Sequence, residues 1–329
     1  MFVMGADENG LGPVLGPLVT TAVGLELARY QPAKLYAAGR ELGIDDSKAT
    51  AAFGRMALAE GVALAVLEAL HGSVPHDVDS LLGCLLLDAP EQLRARCPEA
   101  SLPQCWSVLV ALPCFGGDVE KGRETLRALA RRGVRVVRAK SAVACTRFLN
   151  DRLAAGQSRV EVDLELMERL VLDGRAALGL ELHAVCGMVG GIRNYTAKLR
   201  HFARDKVRAR RAALGSLAYD VEGVGHVRFE IDADQRHLPV ALASMIGKYV
   251  RELWMLRHNR FYQARDPELL DVSGYHDPIT RRFFAASALL RKRLGVEQAC
   301  FVRDSAQQLL DRNQLSLFDA LEEGPPLAR

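Results

Sequence analysis

The chain has 329 residues, 49% of them hydrophobic and 25% charged, with a formal net charge of +3. That is the composition of a globular chain with a sizeable core in one large or two modest domains, and it excludes a disordered or fibrous protein. The small positive balance is compatible with a polyanionic partner without demanding one.

In chain order, Phe2, Val3 and Met4 open as a buried strand that leads to an acidic pair, Asp7 and Glu8. Successive strand side chains face opposite ways, so one carboxylate reaches a site directly and the other from its edge. Gly10, Gly12 and Gly16 then clear side chains, and Pro13 and Pro17 stiffen the path. Backbone that can be approached closely beside carboxylates suits a metal-bound, phosphate-bearing ligand; the plainer alternative is a Gly/Pro turn with two solvated acids. A second strand is expected around Leu18–Val23 and a helix from about Ala51 to Leu70. Residues 74–113 read as an irregular Cys- and Pro-containing insertion, with a strand at Ser107–Leu112. A helix over Val119–Arg132 ended by Gly133, a strand at Val134–Arg138, a helix over Asp163–Leu178 and a strand at Leu180–Met188 follow, which is α/β alternation. Arg200, Arg204, Lys206, Arg208, Arg210 and Arg211 crowd what reads as one helical stretch, either a phosphate-tracking stripe or a solvated face. A helix holding Ala241–Met255 and a helical C-terminal third complete the chain.

The seven cysteines are odd in number and show no CxxC spacing, so they read as reduced thiols of a cytosolic protein. No apolar run has membrane-spanning length, and Asp7 and Glu8 stand where a signal peptide would need its hydrophobic region, so a soluble cytoplasmic protein is expected.

GADENGLGPVLGPLVTTAV, opening at Gly5, resembles the first motif of the type 2 ribonucleases H, closest in style to their archaeal and eukaryotic branch. Three more segments resemble that family in order: IDDSKAT (Ile44–Thr50), DADQRHLPVALASMIGKYVREL (Asp232–Leu253) and SGYHDPITRRFF (Ser273–Phe284). Four ordered matches make chance a poor explanation. The resemblance implies an RNase H-like α/β fold, a mixed central sheet flanked by helices with a helical C-terminal region. It divides the chain into a catalytic-type domain (1–262) with insertions near 74–113 and 200–220, a helical region (263–312) and a tail (313–329). It also implies metal-dependent cleavage of RNA in RNA–DNA hybrids, leaving 3′-hydroxyl and 5′-phosphate ends, by a protein acting as a monomer. Asp7, Glu8 and Asp234 would hold Mg²⁺ or Mn²⁺, Ser47 and Lys48 would meet phosphate, Gly10, Leu11 and Gly12 would read the 2′-hydroxyl, and Tyr275 would stack at the DNA–RNA junction.

The sequence departs from the family pattern twice. Leu11 stands where the family has arginine, so backbone recognition of the 2′-hydroxyl can survive while a phosphate-holding charge is lost. Two placements compete for the third carboxylate. LVLDG (Leu170–Gly174) nominates Asp173, but its residues continue a helical period. HAVCGMVGGIRNYTAKL (His183–Leu199) fits the family frame better and puts Gly187 at the acidic position. Asp232 would share a face with Asp234 if that stretch is extended, and is otherwise a solvated strand-edge acid. With an acid missing, the rival to an enzyme is a catalytically degenerate hybrid-binding or clamp-associated protein.

Near the C-terminus, QLSLF (Gln314–Phe318) resembles the pentapeptide with which bacterial replication and repair proteins dock on the sliding clamp. Gln314 would supply amide hydrogen bonds, and Leu315, Leu317 and Phe318 would fill an apolar groove. The competing expectation is an amphipathic turn packed on the body.

Overall fold

The structure is a computed structural model that describes residues 1–45, 55–99, 102–179, 181–192, 194–202 and 206–305. Ser47, Lys48, Arg204 and the whole of Gln314–Phe318 lie outside the described residues.

One seven-stranded sheet runs in the order β3-β2-β1-β4-β7-β6-β5. β1 (Phe2–Asn9) pairs antiparallel with β2 (Leu18–Leu27), which pairs antiparallel with β3 (Val134–Ala144). On its other side β1 runs parallel to β4 (Leu182–Gly187), and β4 parallel to β7 (Gly225–Glu230). β6 (Ser216–Val221) and β5 (Val207–Arg210) extend the sheet antiparallel beyond β7. β1 is therefore flanked on both sides, and six of its eight residues are buried, as suits a central strand.

The helices in chain order are α1 (Pro32–Arg40), α2 (Ala57–His71), α3 (Val78–Leu85), α4 (Pro90–Arg94), α5 (Val119–Arg131), α6 (Thr146–Ala154), α7 (Arg159–Leu178), α8 (Leu238–Gln263), α9 (Pro278–Ala286), α10 (Ala288–Arg293) and α11 (Gln298–Phe301). Two apolar layers sandwich the sheet. Val3, Val19, Val23 and Leu25 pack with α2, α3 and α8 on one face. Met4, Ala6, Leu18 and Ala22 pack with Met167, Leu170 and Val171 of α7 on the other. A third cluster joins Met255, Phe261 and Tyr262 at the end of α8 to Phe283, Leu290 and Phe301 of the C-terminal helices. α8 lies directly on β1, because a Cβ on Gly5 would come within 2.2 Å of the Pro239 backbone and one on Gly247 within 2.7 Å of Asn9.

Several expected elements are corrected. Ser107–Leu112 is not a strand: its backbone groups serve the turn before α3, where Val78 N–H donates to Val110 and Leu112 N–H to His76. The stretch before it is not irregular but carries α3 and α4, with Val78, Leu81, Leu82 and Leu85 in the core. Within the basic stretch, Val207–Arg210 is strand β5 rather than helix, each of its residues paired antiparallel with β6. The stretch at Asp232 is not extended either: it turns left-handed at Asp232 (φ 52°) into a 3₁₀ turn over Ala233–Gln235.

Candidate active site

β1 carries Asp7 and Glu8 to the C-terminal end of the sheet, next to the end of β4 and the turn that follows β7. There they line a cavity of about 540 Å³ with Gly10, Leu11, Gly12, Gly187 and Asp234, opposite Ser244, Lys248, Arg251 and Glu252. Those last four recur at helical spacing on one face of α8. Ser273 and Tyr275 close one side. Segments near residues 7, 187, 234 and 275 thus meet in one polar cavity, although they stand far apart in sequence.

Asp7 is 9% exposed. Burial first, then the charge of Glu8, hold its carboxyl well above the usual carboxylate range; a hydrogen bond with Ser244 pulls back and Asp234 adds to the rise. Glu8 and Asp234 are therefore both close enough to oppose the ionisation of Asp7. Gly187 ends β4 with no positive φ, and a Cβ placed on it would stand 2.5 Å from Asp7 Oδ1 and 3.8 Å from Glu8 Oε2. A side chain at this position would face the Asp7 and Glu8 carboxylates, and Asp7 would have to move aside to admit it.

Asp173 is elsewhere. It sits on α7, and Arg138 binds it with two hydrogen bonds of 2.7 and 2.6 Å. Asp232 does line the cavity, but from the exposed turn.

The glycine loop divides into two roles. Gly10 has φ 94°, and a Cβ there would meet Arg251 at 2.7 Å, so the protein itself requires glycine. A Cβ on Gly12 would meet nothing within 4 Å, which leaves its backbone open to a ligand. Arg251 is buried beneath this loop. It donates to Glu252 (3.1 Å) and to the Ser273 carbonyl (2.9 Å), and its guanidinium lies 5.0 Å over the Tyr275 ring. Tyr275 is 48% exposed at the rim, so its other face is open for stacking. The segment before it docks on the loop, Val14 and Leu15 N–H both donating to the Gly274 carbonyl. From the far end of the described chain, Arg303 donates to the carbonyls of Gly10 (2.6 Å) and Gly16 (2.8 Å).

Asp163 is a group that sequence reasoning missed. It is fully buried on α7, accepts a 2.7 Å hydrogen bond from Thr20, and leaves Oδ2 unpartnered. Burial pushes it up to about 7, with the Thr20 bond pulling back and the charge of Asp7 adding to the rise. The available signal was an acid on the apolar face of a helix, four and seven residues before Met167 and Leu170.

Whether these residues suit a cation follows from the same observations. Oxygen donors that repel one another are the donor type a hard divalent ion takes. Among the described residues, however, no three acidic, histidine or cysteine side chains stand close enough to enclose an ion. The carboxylates that line the cavity are those of Asp7, Glu8, Asp232, Asp234 and Glu252.

No family model matches the chain, and no curated protein matches it in sequence. Among solved structures it is similar to RNase HII of Archaeoglobus fulgidus, solved in a complex with PCNA, at 19% identity and a TM-score of 0.46 over 92% of this chain and 94% of that one. It is similar to ribonuclease H2 of Pyrococcus horikoshii OT3 at 17% identity and 0.45, over 95% and 98%. It is also similar to Bst-RNase HIII in complex with Mn²⁺ at 16% identity and 0.46, over 92% and 66%. What decides the fold is this chain's own sheet, a β3-β2-β1-β4-β7 core with three antiparallel strands, two parallel crossovers and helices on both faces.

The fold is RNase H-like. Within an RNase H-like fold the cavity occupies the end of the central strand, where Asp7 and Glu8 emerge. Among the described residues no helix is long and apolar enough to cross a membrane.

Proposed function

We propose that the protein hydrolyses RNA within RNA–DNA hybrids, with Asp7, Glu8 and Asp234 holding Mg²⁺ or Mn²⁺. The observation that carries this is the single cavity in which these acids face an open glycine backbone at Gly12 and an exposed ring at Tyr275. Acids alone would suit many metal chemistries; the loop and the ring suit a ribose beside a stacked base.

When bound, the divalent ion supplies charge that activates water and stabilises the leaving oxygen. The chain's own residues do the rest. Ser244 holds Asp7 in place. Arg303 fixes the Gly10 and Gly16 carbonyls and with them the loop that presents Gly12 toward a 2′-hydroxyl. Arg251 stiffens Tyr275 from beneath and places positive charge behind the loop, where Leu11 brings none. Ser47 and Lys48, just after Asp45, would bring a further charge to phosphate.

Gly187 favours a second reading, a hybrid-binding protein that cuts slowly or not at all. An assay with an end-labelled hybrid, an all-DNA duplex and an all-RNA duplex separates the two. Hydrolysis proposes cleavage of the hybrid alone, dependent on Mn²⁺ or Mg²⁺ and abolished by EDTA, with 3′-hydroxyl products. Tight hybrid binding without cutting at high enzyme concentration would support the second.

The tail motif completes the proposal. Gln314, Leu315, Leu317 and Phe318 would dock on a bacterial sliding clamp, bringing the enzyme to newly replicated DNA.

A further inference from the structure

We infer that the open face of β7, β6 and β5 is a second binding surface for the phosphodiester backbone of the nucleic acid held at the carboxylate cavity; the inference rests on the proposed function for the identity of that strand. α8 crosses β1 and β2, and the outer strands leave on its side of the sheet a cavity of about 480 Å³. Arg210, Arg211, Arg228, His183, His226 and Tyr30 line it. On the other side of the sheet β6 and β7 give Tyr219, Val221, Val227 and Phe229 to an apolar core, Val227 and Phe229 alternating with His226 and Arg228 along β7. Strand alternation therefore sorts these residues, one face forming core and the other presenting guanidinium and imidazole groups to solvent.

Charge decides what the surface fits. Asp220 pairs with Arg210 and His226, and Glu230 with Arg228 and Arg236. Two carboxylates thus face four guanidiniums, and Arg211 makes no ion pair among the described residues. The excess is positive and guanidinium-rich, which matches phosphate oxygens in bidentate geometry. Rings accompany it: Tyr30 stacks at 6.0 Å on His237, and His183 lies 5.1 Å from His226.

Position links the surface to the candidate active site. His183, Val185 and Gly187 share one face of β4, and their partners on β7 are His226, Arg228 and Glu230. The four residues from Gly187 to His183 span roughly 13 Å at ~3.3 Å per residue. That equals about four base steps along a duplex. Val185, between Gly187 and His183, is covered by Ala233 and Val240, so a strand leaving the carboxylates reaches the basic surface by passing over the turn at Ala233–Gln235.

The test measures binding by fluorescence anisotropy in EDTA, where no strand is cut, across a salt series. Arg211→Gln/Arg228→Gln should weaken hybrid binding and reduce the slope of log K against log salt by about 2, one phosphate contact per arginine. Arg211→Lys/Arg228→Lys should restore most of it, and because both positions are exposed all three proteins should melt together. Unchanged affinity and slope in the glutamine variant would overturn the inference while leaving the carboxylate site untouched. Wild type that binds a polyglutamate peptide as well as the hybrid would also overturn it, by assigning the surface to acidic protein. Binding and slope as expected in a protein that cuts nothing would sink the hydrolytic reading and support this one.

Discussion

Asp163 and Gly187 are the two residues whose chemistry is least ordinary for their positions. Asp163 remains protonated in the fold where the unfolded chain would ionise, since its carboxyl rises from 3.8 to about 7. A raised folded-state value means stability that is fully present below about pH 4 and lost as pH climbs through about 7. Asp163→Asn keeps an acceptor for Thr20 and removes the ionisation. Its melting temperature should therefore exceed that of wild type at about pH 8 by a few degrees, on the order of 1–2 kcal/mol, and the gap should close by about pH 4. An equal gap at both pH values, followed by differential scanning calorimetry, would show that Asp163 is not titrating in the fold. Gly187→Asp adds a Cβ 2.5 Å from the present place of Asp7 Oδ1 and a carboxylate beyond it, so side chains must shift and repulsion must grow. Without metal the variant should melt below wild type. Titrated with Mn²⁺, it should gain more in melting temperature than wild type does, because four acids hold a cation better than three. A variant that loses stability and gains nothing from Mn²⁺ would contradict the placement of a missing ligand at this strand end.

At the scale of elements, what was legible in the sequence was local and periodic. Asp7–Glu8 on a buried run, the amphipathic period of α7 and the long apolar pattern of α8 all identified their elements, though each runs longer than expected because tertiary contacts extend it. The helical period also placed Asp173 on α7, where it lies. What was not legible depends on partners distant in sequence. β5 reads as a charged helix because its alternation, Val207 and Ala209 between Arg208 and Arg210, is only four residues long and is lost in a basic run; pairing with β6 makes it a strand. Arg251 and Arg303 are both buried beneath the glycine loop, where carbonyls and a tyrosine ring replace water. No spacing rule connects residue 303 to residue 10. The docking tail is tested by a double variant. Leu317→Ala/Phe318→Ala should abolish retention of a bacterial sliding clamp in a pull-down and leave the melting temperature nearly unchanged, as expected for a segment that buries little in the free protein. A loss of roughly 2 kcal/mol in stability, with no clamp retained by wild type, would instead mean that these side chains pack on the body.

For the whole molecule, one sheet does three things. Its two covered faces hold the core, the end of its central strand gathers the acids, and its uncovered outer strands extend a basic surface from them. We propose that the gathered acids perform metal-dependent hydrolysis of hybrid RNA despite Gly187. It is tested most directly by comparing wild type with Asp7→Asn on one labelled RNA–DNA hybrid, at high enzyme concentration and saturating Mn²⁺. An amide cannot supply the charge that a ligand to a hard cation needs, so the account predicts metal-dependent cleavage by wild type and its loss, by two orders of magnitude or more (~10²-fold), in the variant, with folding intact. The same absence of cleavage in both proteins, or the same rate in both, would contradict it.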